Sequence, residues 1–129
     1  MSMHINDPQT IAEIQAAFDG YYASLGANDV PAVQGWFIQS ESTVRFGMAE
    51  NLFGASQINA YRAGSTPSST ASTREKVVVT AFGHDFGVTS SLTRPRPGRV
   101  GRTTQVWVRT DLGWKIAAAH VSAIDEPDA

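Results

Sequence analysis

Arg45 sits in a run whose residue types point to anion chemistry. Across Thr43 to Gly54 a β-branched pair leads into the arginine, Gly47 turns the chain, and Glu50 and Asn51 open a second short strand that ends at Gly54. Alternation with period two puts Thr43, Arg45 and Gly47 on one face and Val44 and Phe46 on the other. The Arg45 face either meets water or lines a cavity, and the cavity is the reading adopted. An arginine turned inward needs a carboxylate or an anionic ligand, because an uncompensated buried charge costs several kcal/mol. Glu50 and Asn51 then form either an exposed Asx-type turn or, for Glu50, the partner that orients Arg45.

Other side chains are candidates to join it. Tyr21 lies on the apolar stripe of a helix, so its ring faces the core and its hydroxyl is either a core group bonded to a carbonyl or a donor pointing into a cavity. Tyr22 is rotated about 100° from it and is expected to be partly exposed. In the last strand Trp114, Ile116, Ala118, His120 and Ser122 alternate onto one face, opposite Lys115, Ala117, Ala119 and Val121. His120 is either a satisfied core histidine or, with Ser122 and with Gln105 beside Trp107 on the preceding strand, part of a polar cluster that orients a small substrate. Eight of the ten basic residues are arginines, and Arg94, Arg96, Arg99 and Arg102 fall within nine positions. A solvated hairpin tip accounts for most of them; Arg94 and Arg102 flank the Pro95 to Arg99 turn, where strands end and begin.

The elements that must position these groups follow from pattern. Asp7 caps and Pro8 opens a first long helix, whose stripe is Ile11, Ile14, Phe18, Tyr21 and Leu25. A second helix runs from Val30 to Phe37 and a third from Ser56 to Arg62. Residues 63–72, rich in Gly, Ser, Thr and Pro, read as a mobile surface loop or lid. Strands are expected at 74–83, 87–93, 100–110 and 113–122, separated by short turns. Helices first and an antiparallel sheet after them give an α+β domain with the helices on one face of a curved sheet.

Composition narrows the function. The 129 residues fit one domain spanning 1–129, with 42% hydrophobic and 17% charged residues and a net charge of −2. Nucleic acid and anionic membrane are poor partners for such a surface. No window is apolar enough to span a bilayer, and the first residues carry neither a basic nor an apolar targeting region, so a cytoplasmic location is expected. There is no cysteine, hence no disulfide or thiolate site. His4, His84 and His120 are scattered without metal-ligand spacing, and no nucleophile elbow, phosphate loop or dinucleotide fingerprint occurs, so neither metal nor cofactor is called for.

The motifs together resemble a known group. A Phe18-x-x-Tyr21 on the inner stripe, Asn28-Asp29 before the second helix, Asn51-Leu-Phe-Gly54 before the third, and a closing Gly113-Trp-Lys-Ile-Ala-Ala-Ala-His-Val-Ser122 strand resemble the NTF2-like, SnoaL-like cone fold. Thr43-Val-Arg-Phe-Gly47, Glu50 to Gly54, Phe82-Gly-His-Asp-Phe86, Thr93-Arg-Pro95, Gly101-Arg102 with Gln105-Val-Trp107, and Ala118 to Ser122 are similar to the AtzH and HpxZ group within it. That resemblance implies a decarboxylating amidohydrolase that removes one carboxyl group from 1,3-dicarboxyurea to leave urea-1-carboxylate (allophanate) in cyanuric acid catabolism. Hydrolysis of the N-carboxyl bond and direct decarboxylation give equivalent products.

On that basis Arg45 would grip a carboxylate and Tyr21 would donate to the urea. Arg94, Arg102, Gln105, Glu50, Asn51 and Ser122 are assigned to substrate binding, and His120 would be the base if water attacks. The partners expected are the small anionic substrate, a second copy of the chain in a homodimer or higher homo-oligomer with Val106, Val108 and Val121 at the covered sheet face, and a pathway amidase. Two rival functions stand beside this one: a non-catalytic subunit of an amidase-signature enzyme, and an isomerase or cyclase acting on a hydrophobic ligand.

Overall fold

The structure is a computed structural model that describes residues 3–64 and 74–126. Helix α1 (Pro8–Gly26) begins as expected, with the Asp7 carboxylate accepting from the Thr10 backbone N–H at 3.0 Å and its hydroxyl at 2.8 Å. It is followed by α2 (Val30–Gly35), strands β1 (Val44–Phe46) and β2 (Asn51–Phe53), and α3 (Ala55–Gly64). Strands β3 (Arg74–Phe82), β4 (Phe86–Arg96), β5 (Arg99–Thr110) and β6 (Gly113–Asp125) complete the described chain. Apart from Ala63 and Gly64, which end α3, the expected loop over 63–72 lies outside the described residues.

Six strands form one sheet in the order β2-β1-β6-β5-β4-β3, antiparallel except where β1 runs parallel to β6. Helix α2 ends sooner than its sequence pattern suggests because the next residues are drawn to the sheet. Ile116 N–H donates to the Trp36 carbonyl at 2.8 Å and Ile38 N–H to the Ile116 carbonyl at 2.9 Å, extending the edge that β1 continues. Strand β4 runs past its expected end through Pro95, which the ladder tolerates because the register slips between Thr93 and Arg96.

The helices cover one face. Ile14, Phe18 and Tyr21 of α1, Val33 of α2, Phe37 and Ile58 of α3 pack against Trp107, Trp114 and Ile116. Close approach is built in where α1 crosses the sheet: a Cβ at Gly87 would stand 2.2 Å from Ile14 Cδ1 and 2.9 Å from the Thr80 carbonyl, so only glycine fits.

A β-bulge decides which side chains face the helices. Val106 pairs with Ala118 but Trp107 pairs with Ile116, leaving Ala117 as an extra residue. Trp114 and Ile116 are buried before it; after it the buried residue is Ala119, and His120 is exposed. The alternation expected over 114–122 is therefore corrected: Ala118, His120 and Ser122 turn to the outer face, and Val121 turns inward, away from Val106 and Val108. A second slip at Glu75 sets Arg74 opposite Thr93 on the inner face of β3.

Candidate active site

Helix α1 and the β1–β2 hairpin bring Tyr21 and Arg45 to the same inner face. Tyr21 is 4% exposed, its ring edge-on to Tyr22 (centroids 5.1 Å) and Phe37 (6.0 Å). Burial pushes the Tyr21 phenol above its ordinary value; the nearby Arg45 and Arg62 charges partly oppose that and the neighbouring Tyr22 adds to it. The hydroxyl is thus neutral at physiological pH and able to donate a hydrogen bond. Arg45 pairs with Leu52 across the hairpin and with Ala119 of β6, both buried, so its side chain leaves the strand on the helix side.

Glu50 is the arginine's partner. Arg45 Nη1 donates to Glu50 Oε1 at 2.6 Å, with the two side chains 12% and 15% exposed. The Ala49 N–H donates to the other carboxylate oxygen at 3.2 Å, and the Arg45 guanidinium stands 5.7 Å from the Tyr61 ring centre. Only Nη1 is taken by Glu50, which leaves the rest of the guanidinium fork for a ligand carboxylate. Gly47 makes room for the pair: a Cβ there would lie 1.6 Å from Glu50 Oε1 and 2.8 Å from Arg45 Nη1.

Gln105, 1% exposed, also faces inward, beside Ala119 in register. It ends a chain of hydrogen bonds: Trp107 Nε1 donates to Thr89 Oγ1 at 2.9 Å, Thr89 Oγ1 to Gln105 Oε1 at 2.9 Å, and Gln105 Nε2 to the Tyr22 hydroxyl at 3.5 Å. The indole N–H only donates, so Thr89 Oγ1 accepts from Trp107 and gives its own hydrogen to Gln105 Oε1, with the amide turned so that Nε2 faces Tyr22.

The remaining candidates lie elsewhere. His120 stands on the outer face, its ring edge-on to Phe46 at 5.9 Å and its register partner Thr104 beside it. Arg102 and Ser122 are register partners on that same outer face, joined by Arg102 Nε donating to Ser122 Oγ at 3.2 Å. Asn51 is exposed opposite Phe46, on the outer side of the hairpin. Arg94 is bound at the far edge by Glu75, at 2.7 Å and 2.8 Å, and by Glu126. These carboxylates hold its guanidinium above its usual value and take up its Nε and Nη1 donors. The sequence-predicted set therefore divides: Tyr21, Arg45, Glu50 and Gln105 converge, whereas His120, Ser122, Arg102, Asn51 and Arg94 do not join them.

Sequence reasoning missed two inward groups. Tyr22 is half-buried as expected, but its hydroxyl reaches Gln105, and the i, i+4 spacing from Phe18, whose ring it meets at 4.8 Å, was the available signal. Arg74 places its guanidinium carbon 3.7 Å from the Tyr22 ring centre. Its direction depends on the slip at Glu75, which leaves no trace in residue type. Among the described residues no group of three or more His, Cys, Asp or Glu side chains could hold a metal ion, and no helix is long and apolar enough to cross a membrane.

Comparison with known proteins agrees with this architecture. A cystatin-like fold protein from Burkholderia xenovorans is 38% identical over 98% of this chain and 100% of its own, with a TM-score of 0.92. A protein of unknown function of the DUF3225 family from Pectobacterium atrosepticum is 36% identical over 94% of this chain and 95% of its own, with a TM-score of 0.89. At 16% identity, an NTF2-like protein of unknown function from Pseudomonas putida shares the fold, with a TM-score of 0.77 over 95% of this chain and 99% of its own. No curated protein matches the chain. The AtzH-like family model matches residues 3–127, within which Tyr21, Arg45 and Glu50 all fall, and the chain belongs to the AtzH-like family, on an NTF2-like α+β fold.

Proposed function

We propose that this chain is a decarboxylating amidohydrolase that converts 1,3-dicarboxyurea to urea-1-carboxylate in cyanuric acid catabolism, downstream of an amidase that supplies the dicarboxylated urea. The observation that carries the reading is the pairing of a buried, neutral Tyr21 hydroxyl with an inward guanidinium, Arg45, held by one carboxylate. Arg45 binds a substrate carboxylate through its remaining N–H groups, a charge-assisted contact of about 1.5–3 kcal/mol. The C–N bond to the departing carboxylate breaks with its electron pair going to nitrogen, and CO2 leaves. Tyr21 donates to that nitrogen as charge develops on it, then regains its proton from solvent. One proton is consumed for each CO2 released, and no covalent nucleophile takes part.

The outward position of His120 supports direct loss of CO2 over attack by a His120-activated water. The test is product formation from 1,3-dicarboxyurea generated in situ by an amidase. Wild-type protein is expected to raise allophanate above the amidase-alone control, and folded Arg45→Ala and Tyr21→Phe proteins to form it at least about tenfold more slowly. Equal product from all three would overturn the proposal.

A further inference from the structure

Arg74 and Tyr22 are not used by the chemistry above, yet they are built into the same inner face. The register slip at Glu75 turns Arg74 inward, and its guanidinium stacks 3.7 Å from the centre of the Tyr22 ring. Stacking engages the flat face of the guanidinium and leaves its N–H edges free. Arg45, Arg94, Arg99 and Arg109 each contact a carboxylate; among the described residues Arg74 contacts none.

The Tyr22 hydroxyl is oriented as well. With Gln105 Oε1 accepting from Thr89, its Nε2 donates to the Tyr22 oxygen, and the phenol's own hydrogen is left to donate. Tyr22 lies between the two halves of the face, with Arg74 on its ring and Tyr21 5.1 Å away. Charge supports the same reading. The Arg45–Glu50 pair is net neutral and offsets none of a ligand's charge by itself, whereas Arg74 adds a cation with no carboxylate partner among the described residues.

We propose that Arg74 and Tyr22 form a second anion-recognition point that selects doubly charged over singly charged ligands, with Arg74 taking the carboxylate that stays on the product. The identity of that ligand as a dicarboxylated urea rests on the function proposed above; the selectivity does not.

Calorimetric titration with malonate as an unreactive dianion and acetate as a monoanion tests it. Wild type should bind malonate at least about tenfold more tightly than acetate, the scale of one charge-assisted contact. Arg74→Gln should reduce that ratio to within about threefold while leaving acetate binding unchanged, and Tyr22→Phe, which keeps the ring beneath the guanidinium, should lower it partway. In turnover, Arg74→Gln should raise KM for the dicarboxylated urea about tenfold with kcat held within about threefold. A wild-type protein without preference for malonate, or an Arg74→Gln protein with the wild-type ratio, overturns the proposal. Malonate selectivity that depends on Arg74 in a protein inactive on the urea would sustain this site and reject the proposed reaction.

Discussion

Arg45 Nη1 meets Glu50 Oε1 at 2.6 Å on the inner side of the β1–β2 hairpin, where the two side chains retain only 12% and 15% of their exposure. Water screens the pair weakly there, so removing one partner strands the other. Arg45→Ala is expected to lower turnover about 10- to 150-fold, the equivalent of about 1.5–3 kcal/mol, and to reduce the melting temperature. Arg45→Met combined with Glu50→Leu removes both charges and should recover melting temperature relative to Arg45→Ala without recovering turnover. Thermal denaturation beside product assays separates the two roles, and equal melting temperatures for the single and double variants would contradict this account of the pair.

Gly47 offers a way to disturb that pair without changing any charge. A methyl group there would overlap Glu50 Oε1 and crowd Arg45 Nη1, so Gly47→Ala forces the carboxylate off its partner. The carboxylate is the end of a side chain and can move, so the fold should persist. Turnover is expected to fall at least about tenfold, consistent with loss of one charge-assisted contact, while circular dichroism stays as in wild type. Full activity in Gly47→Ala would show that Arg45 needs no fixed orientation.

Tyr21 carries a pH signature. Burial raises its phenol above the ordinary 10.0, so above pH 10 the folded state keeps a proton that the unfolded state releases. The folded state then binds more protons, and stability falls as pH rises from 10 through the raised value. Below pH 10 this contribution is fully present and constant. The difference in melting temperature between wild type and Tyr21→Phe should therefore be flat from pH 7 to about 10 and shift against wild type above it. A difference that is flat to the most alkaline pH at which both proteins fold would mean the phenol is not buried.

The Trp107, Thr89, Gln105 chain is expected to matter for stability as well as for Tyr22. Trp107 and Thr89 are both 0% exposed, and the indole N–H has Thr89 as its acceptor. Thr89→Val keeps the shape and removes that acceptor, leaving a buried donor unpaired at a cost of roughly 1–3 kcal/mol. Thr89→Ser keeps an oxygen on the same Cβ and should recover most of the loss. Urea denaturation of the three proteins measures it, and a Thr89→Val protein as stable as wild type would contradict the network.

What was legible in the sequence was whatever periodicity and caps encode. The Asp7 cap, the α1 stripe carrying Tyr21, the inward face of Arg45 and the strand pairs after residue 74 follow from alternation and turn chemistry, and the structure has them. The site readings failed where the count slips. Ala117 has the residue type of its neighbours, so nothing marks it as unpaired, and one extra residue sends His120 and Ser122 to the outer face. The slip at Glu75 acts the other way and brings Arg74 in. Arg94 was misassigned for a different reason: Glu75 and Glu126 are distant in sequence and meet it only once the sheet is formed.

The Ala117 bulge therefore makes a strong prediction. Deleting Ala117 makes Ala118 follow Ile116 directly, so Trp114, Ile116 and Ala119 stay inward and His120 stays outward along one unbroken alternation. The pairs Val106 with Ala118 and Trp107 with Ile116 then become consecutive, and no side chain has to change faces. The deletion is therefore expected to keep a cooperative thermal transition, with a lower melting temperature from losing the bend and twist that the bulge gives the strand. Ala117→Gly keeps the residue count and should also retain a cooperative transition with a lower melting temperature, because glycine weakens a strand. A deletion protein that no longer melts cooperatively would mean that the bend at the bulge, and not alternation alone, holds β6 against the helices.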